Sequence, residues 1–516
     1  MNNEQLTMKL LRVPAVILVT LVLFSGCRQR SIIITEGDIF ERMRQTTHEM
    51  IWVFPGWAFQ PDQQLVTDAI NDKLTEMGYP GLSIRLEGVD WAAFDMGRIT
   101  AIIMSGQNYD LVYAPLWVPY QGDAFSGGGW QPWDPFINLL PEYSTMIEPW
   151  LEMIQQQGPD GHIGIYRLPT MKEFATIPLE MRFNRTVADK LGITEDLYAV
   201  TDIRDLTPFL EMYQDAYPVG MPVLAVGTGS VINAFQLRGD PYEPRYNDRT
   251  GRLEAGIFAE WYDDYIAFRR DWYARGFVQD FQLTASTEDL MTRFGPESFL
   301  VYFNAGKPGG EAELNMTSDR LGFEWGTTFL SPAIMTQDSI LGNSWALNAK
   351  SRNPEASAFI YQLICTSYEL NALLNFGIEG LHYTYDSDGV LHHTEGSRYA
   401  PNLMWMIGNR LLSPRLPGEP ENLLELYEEY NNSAIKMPDF GFGIPDEAWL
   451  GVNTDLYWGV VSALWTQYSR SIEIGIITDD EIRDMRTKLL NGGYQAFYEI
   501  YNREFEIFRA SGQGDN

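Results

Sequence analysis

Two tryptophans placed just beyond apolar strand-like runs mark the residues best suited to chemistry, and that chemistry is non-covalent. Trp57 follows Met50 to Phe54, a run stopped by Pro55-Gly56, and Trp117 follows Asp110-Leu111-Val112-Tyr113 by way of Ala114-Pro115-Leu116. An indole lays a flat apolar face against a ligand, and polar groups beside it fix the ligand's orientation. Trp130, with Trp133, sits in a loop opened by Gly127-Gly128-Gly129, where a tryptophan has less core to enter. Tyr166 is a further candidate plane, and Arg182, Asn184 and Asn304, in or at the ends of later strands, are candidate donors and acceptors. With 15 Trp, 27 Tyr and 27 Phe, the chain can fill its cores and still spare rings for a binding surface.

Reactive chemistry has thinner support. The 69 acidic residues could furnish the acid and base of an exported glycoside hydrolase, but that pair is defined by a separation of about 5 to 9.5 Å, which sequence does not display. No Gly-X-Ser-X-Gly elbow occurs. The five histidines include the neighbours His392 and His393, which on a strand point to opposite faces and so make a poor metal pair. Gly227-Thr228-Gly229-Ser230 lacks a Walker lysine and reads as a plain turn. No metal or cofactor is expected.

The elements that must position the candidates alternate between strand and helix. After Met50 to Phe54, Asp62 stands ready to cap a helix carrying Leu65, Val66, Ala69, Ile70, Leu74 and Met77, with Gly78 past its end. Leu82, Ile84 and Leu86 alternate with polar residues as in a strand, a helix runs from about Asp90 to Met104, and Asp110 to Tyr113 is a third strand. This order implies a parallel sheet, whose ligands bind beyond the carboxyl ends of the strands. Two strands follow at 164–169 and 177–184. The alternation then resumes with a helix at 208–216, strands at 221–226 and 299–303, and helices at 258–273 and from Thr287 to Phe294. A strand at 340–349 and helices begun by Asn353-Pro354 and by Ser367 come next. Thr478-Asp479-Asp480-Glu481 fits a capping box near the end. At 516 residues, with 45% hydrophobic and 21% charged content, two α/β lobes are expected rather than one core.

The net charge of −32 repels phosphate backbones, so nucleic acid is not an expected partner, and charge-driven docking on anionic lipid is disfavoured. Lys9 and Arg12 precede the apolar run Val13 to Phe24, which ends in Phe24-Ser25-Gly26-Cys27. A run of about a dozen residues suits a signal peptide better than a membrane span of roughly 20. Cys27 resembles the lipid acceptor of a bacterial lipobox. Residues 1–27 are therefore expected as a leader and 28–47 as a tether, with the body lipid-anchored on the extracellular face of the cell membrane. The other cysteine, Cys365, lies in apolar context and is expected to be buried and inert.

Gly342-Asn343-Ser344-Trp345-Ala346-Leu347, Asn353-Pro354-Glu355-Ala356, and Asn375-Phe376-Gly377-Ile378-Glu379-Gly380-Leu381-His382-Tyr383 resemble segments of the extracellular solute-binding proteins of bacterial ABC importers. More narrowly, they resemble the family-1 lipoproteins related to LplA. Ser105 to Asp110, Met404 to Asn409 and Asp479 to Ala510 agree in order, so the resemblance covers about 49–510. It implies a two-lobed periplasmic-binding-protein-like α/β fold of class II type, with the ligand cleft between lobes. Lobe one would hold 48–178 and 327–395, and lobe two 179–326 and 396–516. It further implies a carbohydrate ligand, an oligosaccharide, together with a permease partner, a monomer and no catalysis. Trp345 and Tyr383 then join the candidate planes, and Asn343 and Glu379 the candidate polar partners. A peptide- or signal-binding lipoprotein is the alternative reading.

Overall fold

The computed structural model describes residues 36–511 apart from 57–59, 91–97, 118–123, 126, 226–228, 248, 286–289, 292–294, 317 and 441. The expected leader with Cys27, the ring of Trp57, and most of the helix expected from Thr287 lie outside the described residues. Structure begins earlier than the expected tether allows. Helix α1 (Glu36–Gln45) buries Ile39 and Met43, four residues apart on one face, and Arg42 grips Glu355 through two hydrogen bonds of 3.1 and 2.6 Å.

Strand β1 (His48–Pro55), helix α2 (Gln63–Glu76), strand β2 (Leu82–Val89), helix α3 (Arg98–Met104) and strand β3 (Leu111–Tyr113) follow, and β1 pairs in parallel with both β2 and β3. The strands read from alternation thus form the expected parallel sheet, in the order β2-β1-β3. Strands β4 (Trp130–Gln131) and β5 (Leu168–Pro169) join it later.

The chain then crosses into a second sheet. Its strands are β6 (Ile177–Asn184), β7 (Met221–Leu224), β8 (Phe299–Gly306) and β9 (Trp325–Phe329), in the order β9-β6-β8-β7. Strand β6 is antiparallel to both of its neighbours, whereas β7 and β8 are parallel and are separated in the chain by helix α4 (Glu260–Ala274). The short strand β10 (Ile334–Met335) leads back to β11 (Ser344–Asn348), which runs antiparallel to β3, β4 and β5. The single strand expected over 340–349 is shorter than that. Thr336 forms a capping box with Ser339 and starts the short helix Gln337–Ile340 instead.

Each sheet has its own core. The first holds Trp52, Phe54, Tyr113, Trp345 and Tyr361, with Cys365 fully buried beside them; burial pushes its thiol up to about 12. The second holds Phe183, Trp272, Phe303, Tyr457 and Phe497. The closing helices α5 (Thr454–Ile474), α6 (Asp479–Asn491) and α7 (Tyr494–Ala510) pack on the second core, and Thr478 makes the expected capping box.

The segment after residue 396, expected with the second lobe, divides between the cores. Tyr399, Leu403, Met406, Ile407, Tyr430 and Ala434 enter the first. The cause is polar as well as apolar. Asn371 accepts from Asn409 N–H (2.8 Å) and donates back to its carbonyl (3.0 Å), and the Asn409 amide donates to the Cys365 carbonyl (2.7 Å). Gly408 lies at φ +78°, where a Cβ would meet Asn371 Oδ1 at 2.3 Å, so only glycine fits.

Trp345 is fully buried, edge-on to Trp52 at 5.0 Å and near Tyr113 at 5.3 Å. Replacing it with alanine should cost about 3–5 kcal/mol by loss of burial and a residual cavity. Denaturant unfolding of Trp345→Ala checks this, with a loss below about 1 kcal/mol counting against its place in the core.

Candidate functional site

Strand directions decide where a ligand can sit. The carboxyl ends of β1, β2 and β3 share an edge with the start of the antiparallel β11. Strand β5 leaves that edge through Thr170 to Thr176 and enters the second sheet at the start of β6. There it meets the carboxyl ends of β7, β8 and β9, since β8 and β9 run antiparallel to β6 and β7 runs with β8. The carboxyl edge of one sheet is thereby joined to the carboxyl edge of the other, the position at which open α/β sheets take ligands.

On the first edge, Trp117 is 53% exposed. Its indole N–H donates to the Gly342 carbonyl (2.8 Å), and its ring meets Tyr113 edge-on at 6.0 Å. Half-buried Asn343 is next to Gly342, with its Oδ1 accepting from the Tyr113 hydroxyl (2.5 Å). On the second edge, Arg182 donates from Nε to Glu180 (2.7 Å) and from Nη2 to the Ala305 carbonyl (2.9 Å). Asn304 is tied back to its own strand, donating to the Tyr302 hydroxyl (3.1 Å) and accepting from Ala305 N–H (2.8 Å). Phe329, 42% exposed at the end of β9 and in register with Glu180, is a ring that the sequence reading missed. The alternation Trp325, Thr327, Phe329 closed by Ser331-Pro332 is the signal that could have found it.

The other candidates are not brought to these edges as open groups. Trp345 faces the core, and its N–H donates to Thr170 Oγ1 (3.1 Å). Trp130 and Trp133 are buried despite their glycine-rich approach. Arg167 stacks on Trp130 at 4.7 Å, and the Trp133 N–H donates to the Trp345 carbonyl (3.1 Å). Tyr166 is buried against Phe125, at 4.9 Å. Asn184 caps the helix Arg185–Leu191, accepting from Val187 N–H (3.2 Å). Tyr383 is buried against Phe376 and Tyr385, and Glu379 is exposed in the turn before it. The buried rings and the Asn184 amide are taken up by packing and capping, so they do not stand open at these edges, and the Trp130 indole N–H has no hydrogen-bond partner among the described residues. The Gly377-to-Tyr383 run has a structural reason too. Gly377 lies at φ +85° beneath His382, whose Nδ1 accepts from Ile378 N–H (2.9 Å) while Nε2 faces Asp62 (3.3 Å) at the start of α2. Asp62, expected as a side-chain cap, spends its carboxylate on His382 and Arg398 instead.

Buried charge holds the join between sheets. Lys307 meets Glu313 (2.9 Å) and Glu173 (3.5 Å), Glu313 meets Arg410 (2.9 Å), and Arg410 also pairs with Glu419. Nearby, Arg238, at φ +57°, reaches Asp338 (2.6 Å) and Asp439 (2.5 Å). Removal from water would raise the Glu313 carboxyl, but the Lys307 and Arg410 charges hold it below the ordinary value. Glu180 goes the other way. Its Oε1 is buried with no hydrogen-bond partner among the described residues, and burial outweighs Arg182 to push its carboxyl above 4.5. A carboxyl raised by folding stabilises the fold fully below its unfolded pKa, and that contribution is lost as pH rises through the folded value. The melting temperature of Glu180→Gln should therefore fall less than that of the unaltered protein as pH rises from about 4 to about 7. Calorimetric melts across that range test it, and parallel curves would refute it.

No family pattern matches the chain, and no curated relative does. Solved structures do match over almost its whole length. An N-glycan transport solute-binding protein (NgtS) from Streptococcus pneumoniae, in complex with Man1GlcNAc, aligns with a TM-score of 0.72 at 17% identity, covering 89% of this chain and 99% of that one. The alginate-binding protein AlgQ2 gives 0.58 at 14% identity, covering 90% and 99%. A human-milk-oligosaccharide (HMO) binding, ABC-transporter-associated solute-binding protein from Bifidobacterium longum infantis gives 0.53 at 15%, covering 89% and 99%. The chain has the two-lobed α/β fold of these solute-binding proteins.

Proposed function

We propose that this chain is the extracellular substrate-binding lipoprotein of an ABC importer, capturing an oligosaccharide between its lobes and delivering it to a membrane permease. The observation that carries this reading is the joined pair of carboxyl edges, with the exposed Trp117 ring and Asn343 amide on one and Arg182 and Phe329 on the other. An indole accepts the C–H face of a pyranose, and amide and guanidinium N–H groups meet its hydroxyls. Three neighbours of the same fold are described as binding N-glycan, alginate or milk oligosaccharide, which supports a glycan as ligand here. Lobe closure about the join is the motion such a fold allows, and no covalent step is needed.

The lobes of the proposal follow the cores. One comprises α1 with 48–178, 327–395 and the part of 396–434 that packs on the first core. The other comprises 179–326 and the closing helices. Cys27 would carry the lipid that holds a monomeric body outside the membrane. The LplA-related family is the narrower assignment.

Titration calorimetry against Man1GlcNAc, Man5GlcNAc, kestose, alginate oligomers and a peptide mixture tests the reading. A glycan should bind without being turned over. Trp117→Ala should weaken that binding about tenfold, the loss of roughly 1.4 kcal/mol of stacking. Binding of peptides alone would favour a peptide receptor, and breakdown of the glycan would overturn the reading in favour of a hydrolase. Cys27→Ser should move the protein from the detergent phase to the aqueous phase on partitioning; unchanged partitioning would refute the anchor.

A further inference from the structure

The backbone beside Trp117 is held at three successive residues. Leu341 accepts from Leu116 N–H (3.4 Å), Gly342 from the Trp117 indole (2.8 Å) and Asn343 from Thr170 N–H (2.8 Å). What distinguishes Asn343 is its side chain. Tyr113 is fully buried in β3, wedged between Trp345 at 5.3 Å and Trp117 at 6.0 Å, so its ring cannot swing away. Its hydroxyl donates to Asn343 Oδ1 at 2.5 Å. An amide has one acceptor end and one donor end, and with the oxygen facing the buried phenol the NH2 end points the other way. Asn343 Nδ2 takes no acceptor among the described residues, and the residue is half-buried at the edge.

We infer that Tyr113 is a positioning residue that locks the Asn343 amide with its donor end toward the gap, making Trp117 and Asn343 a half-site for a pyranoside that offers an oxygen acceptor beside its apolar face. This rests on the glycan-binding reading above and adds which end of the amide is read and what enforces it. A freely rotating amide would serve donors and acceptors alike; a locked one discriminates, because a ligand hydrogen aimed at Nδ2 finds no lone pair. The lock is present without ligand, so its ordering cost is met on folding and not on binding.

The test is a double-mutant cycle read by calorimetry on the full soluble body, with Man1GlcNAc, Man5GlcNAc and kestose as probes. Tyr113→Phe keeps the ring and removes only the hydroxyl; it should raise Kd about fivefold, the worth of about one hydrogen bond. Asn343→Ala should raise Kd about tenfold. In the Asn343→Ala background, Tyr113→Phe should have no further effect, since its action passes through the amide. A merely structural tyrosine would weaken binding equally in both backgrounds, and that result overturns the inference. So does wild-type affinity in Tyr113→Phe. If none of the three probes binds the unaltered protein, the glycan reading itself falls for these ligands and the inference with it, an outcome distinct from binding that ignores Tyr113.

Discussion

Three short passes of main chain run side by side between the sheets, and their mutual hydrogen bonding is the constraint on which the site depends. Thr176 pairs with Ile334, β10 pairs with the parallel strand β12 (Ile435–Lys436), and Asn431 Oδ1 accepts from both Phe174 and Ala175 N–H at 2.9 Å. Paired backbone groups avoid the penalty of a buried unsatisfied donor or acceptor, so the passes can be short and enclosed. Short passes leave little freedom in which edges face each other. Because β5 exits at a carboxyl edge and β6 begins at one, the two surfaces where α/β sheets offer loops and ends to a ligand become one gap.

The charges around the join have a related role. Lys307, Glu313, Arg410 and Glu419 come from separate stretches of chain and are nearly excluded from water. Buried ions of this kind add little net stability over apolar packing, since desolvation offsets their attraction, but each is costly to leave without its partner. They therefore penalise any arrangement in which the stretches separate, and they do so with directional contacts that an oily seam would lack. Arg238 holds a left-handed backbone conformation to reach Asp338 and Asp439. Such strain persists only where the surroundings repay it.

Aromatic residues divide according to what else they can bind. Trp345, Trp133 and Trp130 each find a buried partner, whether a carbonyl, a hydroxyl or a guanidinium, and the interior claims them. Trp117 satisfies its N–H on the Gly342 carbonyl and still leaves half its surface in water. An indole held by its polar atom while its face stays wet is organised for stacking at no further ordering cost. Tyr113 beneath it links the two populations, with its ring in the core and its hydroxyl on the edge.

Local sequence determined the elements and their class. The alternating and helical spacings placed β1, β2, β3, β6 and α2 closely, and Asn353, Ser367 and Thr478 start helices with the expected side-chain bonds. These features depend on neighbours within a few residues, which is what a pattern can record. Which tryptophan faces water could not be read that way, because Trp117 and Trp345 are distinguished only by what lies across the sheet from them. The same holds for α1, whose burial depends on Glu355 and the first core, and for Asn343, whose amide orientation is set by a phenol 230 residues earlier. Tertiary structure alone decided these, since burial and hydrogen-bond direction belong to pairs of residues that only folding brings together.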